Sequence, residues 1–265
     1  MKKIFAILFF TLLFTSCEEV IFVPLNSADP AIVIEGQVTN YPGPYQVRIT
    51  TTTDFYDPST VPPVNNATVY VEDDLGHSWY FTEQRPGYYN NDQFTGEPGR
   101  TYSLNVKVKD KFYHATSYMP PPVSIDSLDQ GYFAGTRFAD AGYYIILYFT
   151  DPPDTTNYYR IRLYKGDQAG TVIYVLDDQL MDGNPVNLLL FGSAYEAGDT
   201  AIVELQSIDE KVYRFLLTLS NVNASSPSGP EYTPANPETN LSGGALGYFG
   251  AVSLSRDTII LTNSK

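Results

Sequence analysis

One cysteine, two histidines and one tryptophan are all that 265 residues contain of these types. A single cysteine excludes an intrachain disulfide and any cysteine-rich zinc site. His77 and His114 stand far apart, with no HExxH or comparable spacing to make them metal ligands or a catalytic pair. Both fall in segments with a strand pattern, where they serve as ordinary strand residues. Basic side chains are scarce: 16 Lys and Arg face 30 Asp and Glu, a formal charge of −14. That balance argues against a nucleic-acid partner, which requires clustered cations for the phosphates. Long apolar runs are missing too. The longest, Ile4 to Phe14, is about 11 residues, too short for a hydrocarbon layer of roughly 30 Å. Tyrosine is plentiful, at 22, while charged residues make up 17 %. This is the composition of a folded chain, with length for one large or two modest domains.

The N-terminus carries an address. Lys2 and Lys3, the short apolar run and the small residues after it form a secretory signal peptide over residues 1–16. Phe14-Thr15-Ser16-Cys17 resembles the bacterial lipobox. The resemblance implies cleavage after Ser16 and lipid attachment at Cys17, with two or three chains giving stable anchorage where one would be marginal. A plain signal peptide with an incidental cysteine is the alternative; the sole cysteine falls where the lipobox needs it. Glu18 and Glu19 resemble the signal that sends lipoproteins of Bacteroidota to the outer leaflet of the outer membrane. Chance is the rival explanation for that pair, since Glu is common. Cleavage removes two lysines, so the mature chain carries −16.

The expected fold class is all-β: an immunoglobulin- or transthyretin-like sandwich over residues 31–119, then a mainly β domain with one helix over 124–265. Residues 17–30 form the lipidated tether and 120–123 a proline hinge. Tyr102, Leu104, Val106 and Val108 alternate with polar residues, then Asp110-Lys111 and Phe112–Tyr118 complete a hairpin. Ala67–Glu72 and His77–Thr82 flank the turn Asp73-Asp74-Leu75-Gly76 as a second hairpin, and Ile32–Val38 and Tyr45–Thr53 add two strands. Pro120-Pro121-Pro122 cannot continue a ladder and reads as a semi-rigid spacer. Strands are expected at 143–150, 157–164, 171–176, 186–191, 200–207, 247–254 and 258–261. Val212, Phe215, Leu216 and Leu219 have helical spacing behind Ser207 and Glu210, a capping-box arrangement, which predicts a helix over 209–221.

The residues yield no catalytic, cofactor or metal constellation. No GxSxG elbow exists, and Ser242-Gly243-Gly244-Ala245-Leu246-Gly247 lacks the P-loop lysine, so a tight turn or close backbone approach is expected there. The acidic groups Glu72-Asp73-Asp74, Asp151 with Asp154, and Asp177-Asp178 with Asp182 do not match EF-hand spacing and read as solvated turns. Paired carboxylates of a glycoside hydrolase could hide among Asp177, Asp178 and Asp182. Tyr88-Tyr89 and Tyr158-Tyr159 could stack on sugars, but adjacent strand residues face opposite ways, so one of each pair belongs to the core.

Ile32-Val33-Ile34-Glu35-Gly36, Pro42-Gly43-Pro44-Tyr45, Gly99-Arg100-Thr101-Tyr102, Met119-Pro120-Pro121-Pro122-Val123 and Gly243-Gly244-Ala245-Leu246-Gly247-Tyr248-Phe249 together resemble the Bacteroidota outer-membrane lipoproteins called domain of unknown function 4249. Their genes commonly lie beside TonB-dependent receptors. The resemblance implies an accessory lipoprotein of a nutrient-uptake complex at the outer membrane, on the cell-surface side, and not an enzyme; it supplies no ligand residues. The alternative is a free-standing glycan- or peptide-binding surface module, and a hydrolase ranks last. Asp126-Ser127-Leu128, Asp154-Thr155-Thr156, Asp199-Thr200-Ala201 and Asp257-Thr258-Ile259 also resemble O-glycosylation sites of exported Bacteroidota proteins.

Overall fold

The computed structural model describes residues 29–53, 61–137, 140–223 and 236–263. The signal peptide, Cys17, Glu18 and Glu19 lie outside them. The described chain is almost entirely β, with a single helix among the described residues, as the patterning predicted.

Seven strands build the N-terminal half: β1 (Ile32–Thr39), β2 (Tyr45–Thr51), β3 (Thr68–Asp73), β4 (Ser78–Arg85), β5 (Tyr88–Asn91), β6 (Thr101–Val108) and β7 (Lys111–Tyr118). Alternation puts Ile34, Val38, Val47, Ile49, Tyr102, Leu104 and Val106 in one core, each large apolar side chain contributing roughly 1.5–3 kcal/mol by leaving water. β4 turns the corner of the sandwich: Ser78–Phe81 pair with β3, Thr82–Arg85 with β5. Both expected hairpins form. The β6–β7 turn is Lys109-Asp110, one residue earlier than expected, because Val108 pairs with Lys111 and Lys109 takes φ +54°.

The C-terminal half contributes β8 (Ile125–Phe133), β9 (Gly142–Thr150), β10 (Tyr158–Lys165), β11 (Gln168–Ala169), β12 (Tyr174–Asp177), β13 (Pro185–Tyr195), β14 (Thr200–Ile208), α1 (Glu210–Asn223) and β15 (Leu246–Ile260). β13-β9-β8 form a three-stranded sheet. It faces β10, β14 and the end of β15 across a core of Ile145, Leu147, Phe149, Ile161, Leu163, Val203 and Leu205. On the opposite face α1 covers Ile208, Val252 and Tyr248 with Val212, Phe215 and Leu216. The helix falls where its spacing predicted, but its cap does not. Ser207 is still in the β14 ladder; Asp209 is the cap, its Oδ1 accepting the Val212 N–H at 2.8 Å.

β15 was expected as two strands and is one, and it belongs to both halves. Leu246–Val252 run parallel to β1, while Ser253–Ile260 pair antiparallel with β14. The proline segment therefore does not divide the chain cleanly beyond Ile208. Nor is it a free spacer: Ser253 Oγ donates to the Pro120 carbonyl at 2.5 Å and Ser255 Oγ to that of Val123 at 2.7 Å. Gly247, at φ +93°, is where β15 meets β1; a Cβ there would sit 2.1 Å from the Ile34 oxygen. The glycine-rich stretch is thus the turn and close approach that its composition predicted. One large sheet results, with the order β10-β14-β15-β1-β2-β5-β4 at its centre.

Candidate functional site

Since β15 runs through both halves, the outward face of this sheet is continuous. Period two points Arg160 and Arg162 of β10, Glu204 and Gln206 of β14, Leu254 and Arg256 of β15, and Gln37 of β1 to the same side. Gln46 and Arg48 of β2, Tyr88 and Asn90 of β5, and Tyr80, Thr82 and Gln84 of β4 continue it. Helix α1 covers one end of this face.

The loop of residues 40–44, between β1 and β2, folds over the middle. Asn40 fastens it: its side-chain amide donates to the Leu254 carbonyl at 3.3 Å and accepts the Leu254 N–H at 2.8 Å, continuing the β1–β15 pairing beyond Thr39. The Tyr45 hydroxyl bridges the carbonyls of Thr39 and Tyr41 at 2.6 and 2.5 Å. Gly43 is needed because a Cβ there would lie 2.8 Å from the Tyr45 nitrogen and 3.0 Å from the Asn91 oxygen.

Two depressions flank this loop and share Pro44. On one side a cleft of about 420 Å³ is walled by Gln37, Tyr41, Gln46, Arg162 and Arg256, with Glu204, Gln206 and Leu254 below. On the other, a shallow groove of about 810 Å³ is lined by Ser78, Trp79, Tyr80, Thr82, Gln84 and Asn90–Gln93. In the cleft Gln206 is 0 % exposed. Its Nε2 donates to Glu204 Oε2 at 3.1 Å, which fixes the amide's orientation, and its Oε1 has no donor. Arg162 approaches Glu204 at 3.8 Å. Arg162 and Arg256 lie over the Tyr164 ring at 5.0 and 6.0 Å, and the Tyr164 hydroxyl donates to Glu204 at 3.1 Å. Burial pushes that phenol upward, Arg162 opposes the shift and Glu204 adds to it.

The residues singled out from sequence fare differently. His77 Nδ1 lies 2.9 Å from Asp73 in the turn before β4, outside the strand expected for it, and His114 Nδ1 lies 3.1 Å from Asn105 on β7. They do not converge. Of the tyrosine pairs, Tyr89 and Tyr159 are buried in the core, while Tyr88 and Tyr158 lie half-buried on the opposite sheet face, Tyr158 packed against Tyr213 of α1; this is the split that alternation required. The acidic groups are not all solvated turns. Asp151 and Asp178 are buried and meet exposed Asp182, carboxylate oxygens of all three lying within 4.8 Å of one another. Three hard oxygens are the ligand type that Ca²⁺ or Mg²⁺ takes, but hydrogen-bond donors already occupy them. Asp151 accepts from the Tyr159 hydroxyl and, at 3.2 Å, the Gly183 N–H; Asp178 accepts the Asn157 N–H at 2.6 Å, and Asp182 the Asp154 N–H at 3.0 Å. Asp177 is drawn away to the Tyr213 hydroxyl at 3.0 Å. Of the sites resembling O-glycosylation motifs, Ser127, Thr155 and Thr258 are exposed and Thr200 is half-buried.

The cleft residues were missed from sequence. Their one trace is polar residues at period two inside apolar strands, Arg160-Ile161-Arg162 and Glu204-Leu205-Gln206.

The sequence profile of a domain of unknown function, DUF4249, matches residues 18–258. The chain belongs to the DUF4249 family. No curated protein matches it. The chicken interferon gamma receptor alpha chain is similar over 89 % of this chain and 100 % of its own, at 10 % identity and a TM-score of 0.26. The chicken CNTN1 FN1–FN3 domains are similar over 68 % of this chain and 60 % of theirs, at 12 % identity and a TM-score of 0.24. Likenesses at this level carry no argument about a DUF4249 chain.

Proposed function

We propose that this DUF4249 chain is a lipid-anchored, non-catalytic binding component at the surface of a Bacteroidota outer membrane, serving a TonB-dependent uptake receptor. The observation that carries the reading is the position of the cleft relative to the tether. From Cys17 to Asp29 is twelve residues, at most ~40 Å of chain. The tether enters the body at the start of β1, and the cleft opens beyond its far end, eight residues or roughly 26 Å along the strand. A body held by Cys17 can therefore present the cleft away from the lipid. Among the described residues no helix is long and apolar enough to cross a membrane. The anchor in this reading is the Cys17 lipid. Glu18 and Glu19 direct it to the outer leaflet.

Metabolic labelling with an alkynyl palmitate, combined with proteolysis of intact cells, tests the anchorage and its side. The wild type is expected to take up label and be cleaved from outside; Cys17→Ala loses the label. Unlabelled wild type, or labelled protein protected until the outer membrane is broken, contradicts the reading. The free-standing glycan- or peptide-binding module shares the same cleft and differs only in having no receptor.

A further inference from the structure

We infer that the cleft under the β1–β2 loop binds a carboxylated sugar, the uronic-acid unit of an acidic glycan, and that the glycan continues past Pro44 into the groove on β4 and β5. This rests on the binding role proposed above and names its ligand class.

Charge is the first argument. The chain carries −14, yet five of its eight arginines, Arg48, Arg85, Arg160, Arg162 and Arg256, lie on this one sheet face. In the cleft two guanidinium groups face one carboxylate, Glu204. Arg256 is exposed and forms no ion pair with the described residues, its contact being the Tyr164 ring at 6.0 Å. The cleft is locally cationic on an acidic protein, and a guanidinium fork matches a carboxylate in a bidentate way.

The second argument is the Gln206 amide. A fully buried acceptor without a donor is uncommon in folded proteins. Gln206 lines the cleft, and its unpaired Oε1 calls for a ligand that donates hydrogen bonds as well as carrying an anion. A hydroxyl-rich ring does both. Tyr41, 44 % exposed at the rim, supplies an aromatic face for such a ring. Beyond Pro44 the groove offers hydroxyls and amides from Ser78, Thr82, Gln84 and Asn90 beside the exposed ring of Tyr80, side chains suited to further sugar units.

A peptide fits less well. Peptides commonly gain affinity by adding a strand to an open sheet edge. Here β14, β15 and β1 are internal strands with both neighbours in place, and Asn40 holds the Leu254 N–H and carbonyl.

The test is calorimetric titration of the full-length lipoprotein in detergent micelles with fragments of oligogalacturonate, alginate and hyaluronan. Methyl-esterified oligogalacturonate and triglutamate serve as comparisons. At least one acidic glycan is expected to bind. Arg256→Ala is expected to weaken it about ten-fold or more, and methyl esterification of oligogalacturonate to do the same where that is the ligand. Arg214→Ala, on α1 and outside the cleft, should leave affinity unchanged. Arg256 is exposed, so its removal spares the core; Gln46→Ala on the opposite wall gives a second, independent variant. Absence of binding by all three glycans, unchanged affinity in both variants, or tighter binding of triglutamate overturns the inference. Recovery of a TonB-dependent receptor with the lipoprotein is a separate readout, so glycan binding and the uptake role can fail independently.

Discussion

Replacing Asp209 with Ala removes a side chain that fastens helix α1 both to its own first turn and to the N-terminal sandwich. Oδ1 caps the Val212 N–H at 2.8 Å; Oδ2 accepts from Ser117 Oγ at 2.7 Å and from the Tyr118 N–H at 3.0 Å. Ser117, 2 % exposed, also accepts the Ala251 N–H of β15 at 2.9 Å, so a chain of bonds joins β15, β7 and α1. Losing the cap costs about 1 kcal/mol. Losing hydrogen bonds to a charged acceptor in a partly buried position adds roughly 1.5–3 kcal/mol. Asp209→Ala is therefore expected to lower unfolding stability by about 3 kcal/mol. Asp209→Asn, which keeps the capping oxygen, should cost about 1 kcal/mol. Urea denaturation followed by tyrosine fluorescence and far-UV circular dichroism measures both, read as a shift in midpoint at constant m-value. Ser117→Ala completes a double-mutant cycle, in which the two losses should be clearly less than additive. An Asp209→Ala loss under 0.5 kcal/mol, or strict additivity with Ser117→Ala, would refute the linkage.

Burial alone would raise the Asp73 carboxyl, but hydrogen bonds from the His77 side chain and backbone and from the Leu75 N–H outweigh it and hold the group below its ordinary value of 3.8. A depressed folded value stabilises the protein fully above that pH and is lost as pH falls through the folded value. Asp73→Asn should accordingly flatten the acid limb of a stability-versus-pH curve below about pH 4, and an unchanged limb would count against the assignment. Gly247→Ala, with its Cβ 2.1 Å from the Ile34 oxygen, is expected to cost more than ~3 kcal/mol. Gly244→Ala, at φ +76° with nothing within 4 Å, should cost about 1 kcal/mol in the same denaturation assay. Cys17→Ala should move the protein from the membrane pellet to the soluble fraction of lysed cells, and continued sedimentation would point to anchorage other than the Cys17 lipid.

The hairpins were legible because their information is local: alternation in Thr101–Val108 and a turn with positive φ at Gly76 lie within a few residues of the contacts they create. β8 was missed because its sheet leaves it largely exposed and a bulge between Ile125 and Ser127 breaks its period. Ser255-Arg256-Asp257, left between the two expected strands, are ladder residues opposite Leu205, Glu204 and Val203. The capping box failed because Ser207 was claimed by β14 before the helix began. Of the cleft, only the period-two polar residues of β10 and β14 left a trace, and nothing local told that they meet. Gln37, Arg162, Gln206 and Arg256 come from four strands spread over most of the chain and meet through the parallel β1–β15 pairing, which no local pattern announces.

The most direct test of the account is co-purification of the tagged, lipidated protein from mildly solubilised outer membranes, followed by mass spectrometry. A TonB-dependent receptor recovered at near-stoichiometric amount is the expected result. Recovery of the lipoprotein alone, with a Cys17→Ala control showing that anchorage had been intact, would contradict the uptake role and leave a free-standing binding module.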